Sequence, residues 1–318
     1  MVEPVHSQRS VIAEENKGKR LFARIVKHRY IYLLIMPGLL FLILFKIVPI
    51  WGLSLAVVDY NPMVGLFKSN WVGFTYFTEL FSDKTFYLML RNTIVINLLS
   101  IIFFFPLPIV VAIMINEVKK NQVKKLVQSM VYLPHFMSWV VITSLTFFAL
   151  SPDVGIINKI LMDTGHETID FVSNKNLFWI IVTLQNMWKD TGWGTILFLA
   201  ALSGIDPQIY ESAGIDGASR MKQIFHITLP SLIPTIVVLL ILRLGHIADV
   251  SLEQMLLMQN SLNIDVSEVF DTYSFTQGIM QGQLSIGVTV GIFKSFVGLA
   301  FVVGANKIIK SLGYEGIY

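Results

Sequence analysis

An ionisable side chain inside apolar sequence is expensive to keep there, so each one is a candidate functional group. Arg243, His246 and Asp249 recur every third residue in one such stretch. On a helix, Arg243 and His246 share nearly one face, with Asp249 about 120° away from the first. Lys189 and Asp190 are neighbours in a second stretch, flanked by Trp188 and Trp193. Adjacent helical residues point about 100° apart, so Lys189 and Asp190 are not expected to meet one neighbour. Both groups could line a polar path; the 243–249 set could instead pair among themselves or with a partner subunit, or sit at an unwound helix end, and the indoles could anchor at an interface. Lys46 and Lys294 are lone cations, expected to face a partner subunit or to snorkel. His135, beside Pro134, reads as a helix-end residue.

Catalytic patterns are missing. There is no GxxxxGK[ST] phosphate loop, no GxSxG elbow, no HExxH pair and no intramembrane carboxylate dyad. With zero Cys, thiolate zinc and iron–sulfur sites are excluded. The chain is therefore expected to be non-catalytic, with no metal site and no cofactor of its own.

The elements that must position these residues follow from composition. Of 318 residues, 54% are hydrophobic and only 14% charged, with a mean hydropathy of +0.66. A water-soluble domain carries about 25% charged residues, so much of this surface is expected to face lipid. A span needs roughly 20 mostly apolar residues. Six runs qualify: Tyr30–Val58, Arg91–Ile115, Ser129–Leu150, Leu177–Ser203, Ser231–Val250 and Ile286–Ala305. The first, with Lys46 and Pro49, is expected to bend or break; Pro106, Pro108 and Pro134 predict kinks or unwound ends in the next two. The expected fold is an all-α integral membrane protein. A basic tail (1–29) precedes a six-helix domain (30–310), and a short tail (311–318) follows. The first run is too long for a signal peptide and is expected to be retained.

Cation counting orients the spans. With the N-terminus inside, the inner segments hold 15 Lys and Arg and the outer loops hold four. Both termini are expected in the cytoplasm. The 204–230 loop is then cytoplasmic. Asp206 can cap a helix opening on Pro207, with Ile209 to Ala213 helical and a reversal at Gly214–Gly217 aided by Asp216. A second short helix, Ala218 to Phe225, would carry Arg220 and Lys222, with Leu229-Pro230 closing it at the membrane. Such a bihelical projection suits a lever or docking knob.

This loop resembles the EAA loop of ABC-importer permeases: Glu-Ala-Ala, three residues, Gly, nine residues, Ile, one residue, Leu-Pro. Glu211, Ala213, Gly217, Ile227, Leu229 and Pro230 match in spacing, and Ser212 replaces the middle Ala. Asp59-Tyr60-Asn61-Pro62, Trp71-Val72-Gly73, Tyr132-Leu133-Pro134-His135-Phe136 and Gly192-Trp193-Gly194 extend the likeness toward permeases that import complex oligosaccharides and polysaccharide fragments. The resemblance implies a type I importer permease whose coupling helix, with Glu211, Ser212, Ala213, Asp216, Gly217, Arg220, Phe225, Ile227, Leu229 and Pro230, meets an ATPase. It also implies a second homologous permease, an ATP-binding-cassette ATPase dimer that uses ATP and Mg, an extracytoplasmic solute-binding protein and an oligosaccharide substrate. Nucleic acid is not an expected partner, and the setting is the bacterial cytoplasmic (inner) membrane. In that frame Trp188, Lys189, Asp190, Trp193, Arg243, His246 and Asp249 become candidates for the substrate path. An ion-driven secondary transporter, or a non-transporting scaffold or sensor, is the alternative class; the inverted repeat expected of the former is not seen.

Overall fold

A computed structural model describes residues 26–317; the basic tail expected over 1–29 lies mostly outside the described residues. The chain divides into two units, 1–54 and 55–318. The described part of the first unit is one apolar helical run. Its helix α1 (Arg29–Leu42) passes into a π turn (Ile43–Ile47) and a 3-10 segment (Val48–Val57) that extends into the second unit. The break expected near Lys46 and Pro49 is thus a change of winding. A proline ring collides with the carbonyl four residues earlier, and a wider π turn at that place relieves the collision.

The second unit opens with a two-stranded antiparallel hairpin, β1 (Val58–Asp59) on β2 (Asn70–Trp71), followed by α2 (Thr75–Ser82). Helix α3 (Lys84–Leu99) starts at an Asp83 cap and continues through a π turn (Ser100–Phe104) into α4 (Pro106–Asn116). Pro106 and Pro108 therefore do not break this helix, which runs 33 residues as one candidate span. Phe105 N–H reaches back to the Ser100 carbonyl at 2.9 Å, the five-residue step that makes room for the Pro106 ring.

The third run does break. Helix α5 (Asn121–Tyr132) and a 3-10 turn (Leu133–Phe136) meet α6 (Trp139–Leu150) at 97°. After α7 (Ile156–Asp163), helix α8 (Lys175–Ser203) runs 29 residues. It falls outside the helices apolar enough to span by length and composition alone, because Gln185, Asn186, Lys189 and Asp190 interrupt it; four other helices and the bent pair qualify among the described residues. Those polar groups do not face lipid unaided: each is bonded to a neighbouring element or to its own helix backbone.

The chain then forms α9 (Pro207–Ile215) and α10 (Arg220–Gln223), and a π turn (Ile224–Thr228) leads into α11 (Leu229–Gly245). Short helices α12 (Leu252–Met258), α13 (Ile264–Ser267) and α14 (Phe270–Tyr273) lead through a π turn (Ser274–Met280) to α15 (Leu284–Ser311). One core joins Ile109 and Ala112 of α4 to Phe198 and Leu202 of α8 and Leu232 of α11. Another packs Phe178 and Val182 of α8 on Met255 and Met258 of α12.

Between helices in lipid, close approach at small residues replaces the aqueous hydrophobic drive. A Cβ on Gly298 would lie 2.3 Å from the Gly245 carbonyl oxygen, where α15 crosses α11. On Gly192 it would lie 2.1 Å from the Val131 carbonyl oxygen of α5. Gly192→Ala is expected to cost about 1–3 kcal/mol through overpacking. The check is thermal stability of the purified assembly, with Gly304→Ala, where nothing stands within 4 Å, as the unaffected control.

Candidate functional site

Two polar regions are built on this scaffold. At the loop end, Asp206 accepts Gln208 N–H at 2.9 Å and Pro207 takes the first helical position, so α9 begins as expected. It runs two residues beyond Ala213, through Gly214. The reversal falls at Gly217, whose φ is +77°, after Ala218 N–H returns to the Ala213 carbonyl at 2.9 Å. A glycine suits this left-handed position because it has no Cβ to strain.

The second short helix expected over Ala218–Phe225 does not stand alone. Residues Arg220–Gly245 form one continuous candidate span, and Leu229-Pro230 open the α11 segment instead of closing a separate helix. The π turn at Ile224–Thr228 again precedes a proline and gives its ring space. The projection is therefore one short helix braced against the root of a long one. Tyr210 Oη meets Thr228 Oγ1 at 2.9 Å, and the buried Gln223 amide donates to the Ala218 carbonyl at 3.3 Å. Arg220 Nε lies 3.6 Å from Glu117 Oε2 at the end of α4. Glu211, Ser212, Asp216, Gly217, Arg220 and Phe225 are exposed, Ala213 is half-buried, and Ile227 and Leu229 turn partly into the bundle; Pro230 is exposed. Ile215, Met221 and Phe225 also present apolar surface here, with Ile215 88% exposed. Ile215 and Met221 escaped the motif reading, which has no fixed residue type at their positions.

The second region is the intramembrane polar set. Lys189 Nζ donates to the His135 and Met137 carbonyls at 2.8 and 2.6 Å, and it stands 5.5 Å above the Trp139 ring. Asp190 Oδ1 is 2.8 Å from His135 Nδ1, and the Trp193 ring stacks on His135 with centroids 4.7 Å apart. Lys189 and Asp190 thus do meet one neighbour, contrary to the angular expectation. The 133–138 elbow, a 3-10 turn and two irregular residues, wraps their helix face, offering carbonyls to one residue and an imidazole to the other. Trp188 and Trp193 remain about half exposed, and Trp188 lines an apolar crevice of 450 Å³ with Ile142, Leu145 and Leu184.

Arg243 donates to Ser100 Oγ at 2.8 Å, tying α11 to the π turn of the second span. The helix stops at Gly245, so His246 and Asp249 lie in the turn beyond it and the shared-face expectation for Arg243 and His246 fails. His246 Nδ1 is 2.8 Å from Asp249 Oδ2. Asp249 in turn meets Lys294 Nζ at 2.8 Å, and Lys294 also reaches Asp271 Oδ1 at 2.5 Å. Asp271 accepts Val250 N–H at 2.9 Å through its other oxygen. Lys294 therefore faces carboxylates of its own chain, contrary to the expectation of a partner or an interface. No hydrogen bond or ion pair joins the 188–193 group to the 243–249 group among the described residues. Sequence reading missed Lys294 and Asp271 as members of this cluster; the cue is a lone lysine in a span with unpaired acids in the preceding loop.

The Lys189 clasp carries an expectation of its own. Lys189→Ala leaves two carbonyls at the elbow without their ammonium, which is expected to cost about 1–3 kcal/mol. Lower thermal stability, with faster proteolysis near 133–138, is the check. No group of three or more His, Cys, Asp or Glu positioned for a metal occurs among the described residues. Outside the spans, the Lys175 ammonium pairs with Asp265 and holds its carboxyl below the ordinary carboxylate value.

Residues 104–311 match the family model described as binding-protein-dependent transport system inner membrane component. The chain is 45% identical over 309 residues to the polygalacturonan/rhamnogalacturonan transport system permease protein YteP of Bacillus subtilis, covering 97% of this chain and 96% of that protein. It is 28% identical to the arabinooligosaccharides transport system permease protein AraP of the same organism, with 90% of each chain covered. Among solved structures, one chain of a bacterial alginate ABC transporter, crystallised with an alginate pentasaccharide-bound periplasmic protein, superimposes with a TM-score of 0.85. That match has 35% identity and covers 94% of this chain and all of the other.

Proposed function

The chain belongs to the family of binding-protein-dependent transport system inner membrane components, and from that premise we propose that it forms one half of the path by which an ATP-driven importer takes up acidic plant-type oligosaccharides. The observation that carries the substrate class is the 45% identity, over nearly the full length, to a permease named for polygalacturonan and rhamnogalacturonan. The alginate transporter likeness points the same way, toward uronate-containing chains. A second homologous permease completes the path, and an extracytoplasmic binding protein delivers the sugar.

The chain supplies a route and a lever. A pair of ATPases, using ATP and Mg, engages the exposed face of α9 from the cytoplasm, the side on which both termini lie. The apolar Ile215, Met221 and Phe225, with Glu211 and Asp216 beside them, give that face both contact area and charge. The lever then acts on the fifth span through its root, because α9 is braced there by Tyr210 on Thr228 and Arg220–Gly245 is continuous. Trp188 and Trp193 have the exposure needed to stack on sugar rings. Lys189 and Asp190 serve the path indirectly, by fixing the elbow beside those indoles.

The test is uptake by proteoliposomes containing the assembled transporter. Labelled oligogalacturonide should accumulate only with ATP inside and binding protein outside. Accumulation driven by an ion gradient without ATP would overturn the reading.

A further inference from the structure

The hairpin that opens the second unit ends in side chains that no core explains. Met63 is 93% exposed and Phe67 95%, while Trp71 and Phe74 are also exposed beside them. Their display is built in. Asn61 Oδ1 accepts Met63 N–H at 2.9 Å, Ser69 Oγ donates to the Gly65 carbonyl at 2.9 Å, and Asn61 N–H donates to Ser69 Oγ at 3.1 Å. Gly65 takes a φ of +77° to close the tip. A tip so braced holds its apolar side chains outward instead of letting them fold back onto the chain.

The height of the hairpin is also set. Ser285 Oγ donates to the Val58 carbonyl at 2.7 Å and accepts Tyr60 N–H at 3.3 Å. Ser285 is buried and is the second residue of α15, a 28-residue helix apolar enough to cross a membrane. A spanning helix begins where hydrocarbon gives way to headgroups, and Trp and other aromatic groups collect at that level. A second tie, Tyr76 Oη to Asp59 Oδ1 at 2.8 Å, holds α2 against the same strand. These ties fix the base of the hairpin at the first turn of α15, and the exposed Lys68 stands next to Phe67 in the tip.

We propose that the 58–74 hairpin is an interfacial anchor whose Met63 and Phe67 enter the headgroup–acyl boundary of the outer leaflet. The partner is the phospholipid bilayer itself. The anchor would hold the outer end of the sixth span at constant depth while other helices move.

The absence of native Cys allows single-site labelling. Nitroxides are placed at Met63→Cys, Phe67→Cys and, as an aqueous reference, the exposed loop position Glu167→Cys. The assembled transporter is placed in phosphatidylethanolamine–phosphatidylglycerol vesicles. Without binding protein, the ratio of oxygen to nickel-chelate collisions at 63 and 67 is expected to exceed that at 167 by about threefold or more, because apolar oxygen enriches and the chelate is excluded. A ratio equal to that at 167 would overturn the anchor. Low access to both reagents would place the tip against another subunit, and a change only on adding binding protein would assign it to that protein; either result also overturns the proposal.

Discussion

Lys294→Met is expected to be the most damaging single change to stability inside the bundle. Its side chain is only 13% exposed, and its ammonium meets Asp249 at 2.8 Å and Asp271 at 2.5 Å. Removing the ammonium leaves Asp271 without its cation and the half-exposed Asp249 with the His246 imidazole as its remaining partner. Breaking a buried ion pair by deleting one partner costs about 3–5 kcal/mol, because the remaining charge is uncompensated; with Asp249 half exposed, the loss here is expected at the lower end of that range. Three elements lose their tie at once: the turn after α11, the start of α14 and the middle of α15. The thermal transition of the detergent-solubilised assembly should fall steeply. Neutralising both acids in the same background, with Asp249→Asn and Asp271→Asn, should recover most of the loss, since the penalty is electrostatic. A Lys294→Met protein that melts at the parental temperature would show that the cluster is solvated and contributes little.

Gly217→Leu is expected to abolish transport with little effect on insertion or melting. Gly217 sits at φ +77° with nothing within 4 Å of an added Cβ, so the first side-chain carbon meets no obstacle inside the chain. The strain lies in the backbone: a non-glycine residue in the left-handed region costs about 1–2 kcal/mol, enough to depopulate the turn roughly tenfold. The bulk of Leu also projects from the face on which an ATPase would dock. ATP-dependent uptake should drop at least about tenfold. Gly217→Asn, which tolerates this backbone region better, should retain much more activity. Parental uptake by the Leu variant would dissociate this turn from energy coupling.

The apolar runs were readable in the chain because the bilayer imposes a minimum length on each, and Lys175–Ser203 could be found even with a lysine and an aspartate at its middle. The turn at Gly217 was readable for a similar reason, since few residue types fit its backbone. Partnerships across the bundle were not. The Lys189 contacts to His135 and Met137 span more than 50 residues, and nothing local announces carbonyls offered by an elbow. Helical phase also misled. Counting 100° per residue through Asp249 assumed a helix that ends at Gly245. Expecting a kink or unwound end at Pro106, and a helix closed by Leu229-Pro230, ignored the π turns that absorb these prolines. The Lys294 cluster required knowing that the loop after α11 folds back onto α15, which sequence spacing does not encode.

The wide turn at Ile224–Thr228 has a geometric consequence. One surplus residue in a helical rod changes the azimuth of everything beyond it by about 100° without breaking the rod. The compass bearing of α10, the root on which the α9 peg is braced, and that of the apolar stripe on α11 are therefore set separately, although one unbroken rod carries α10 and α11. A lineage could re-aim the peg toward a differently shaped motor by gaining or losing a single residue here, without disturbing the bundle above.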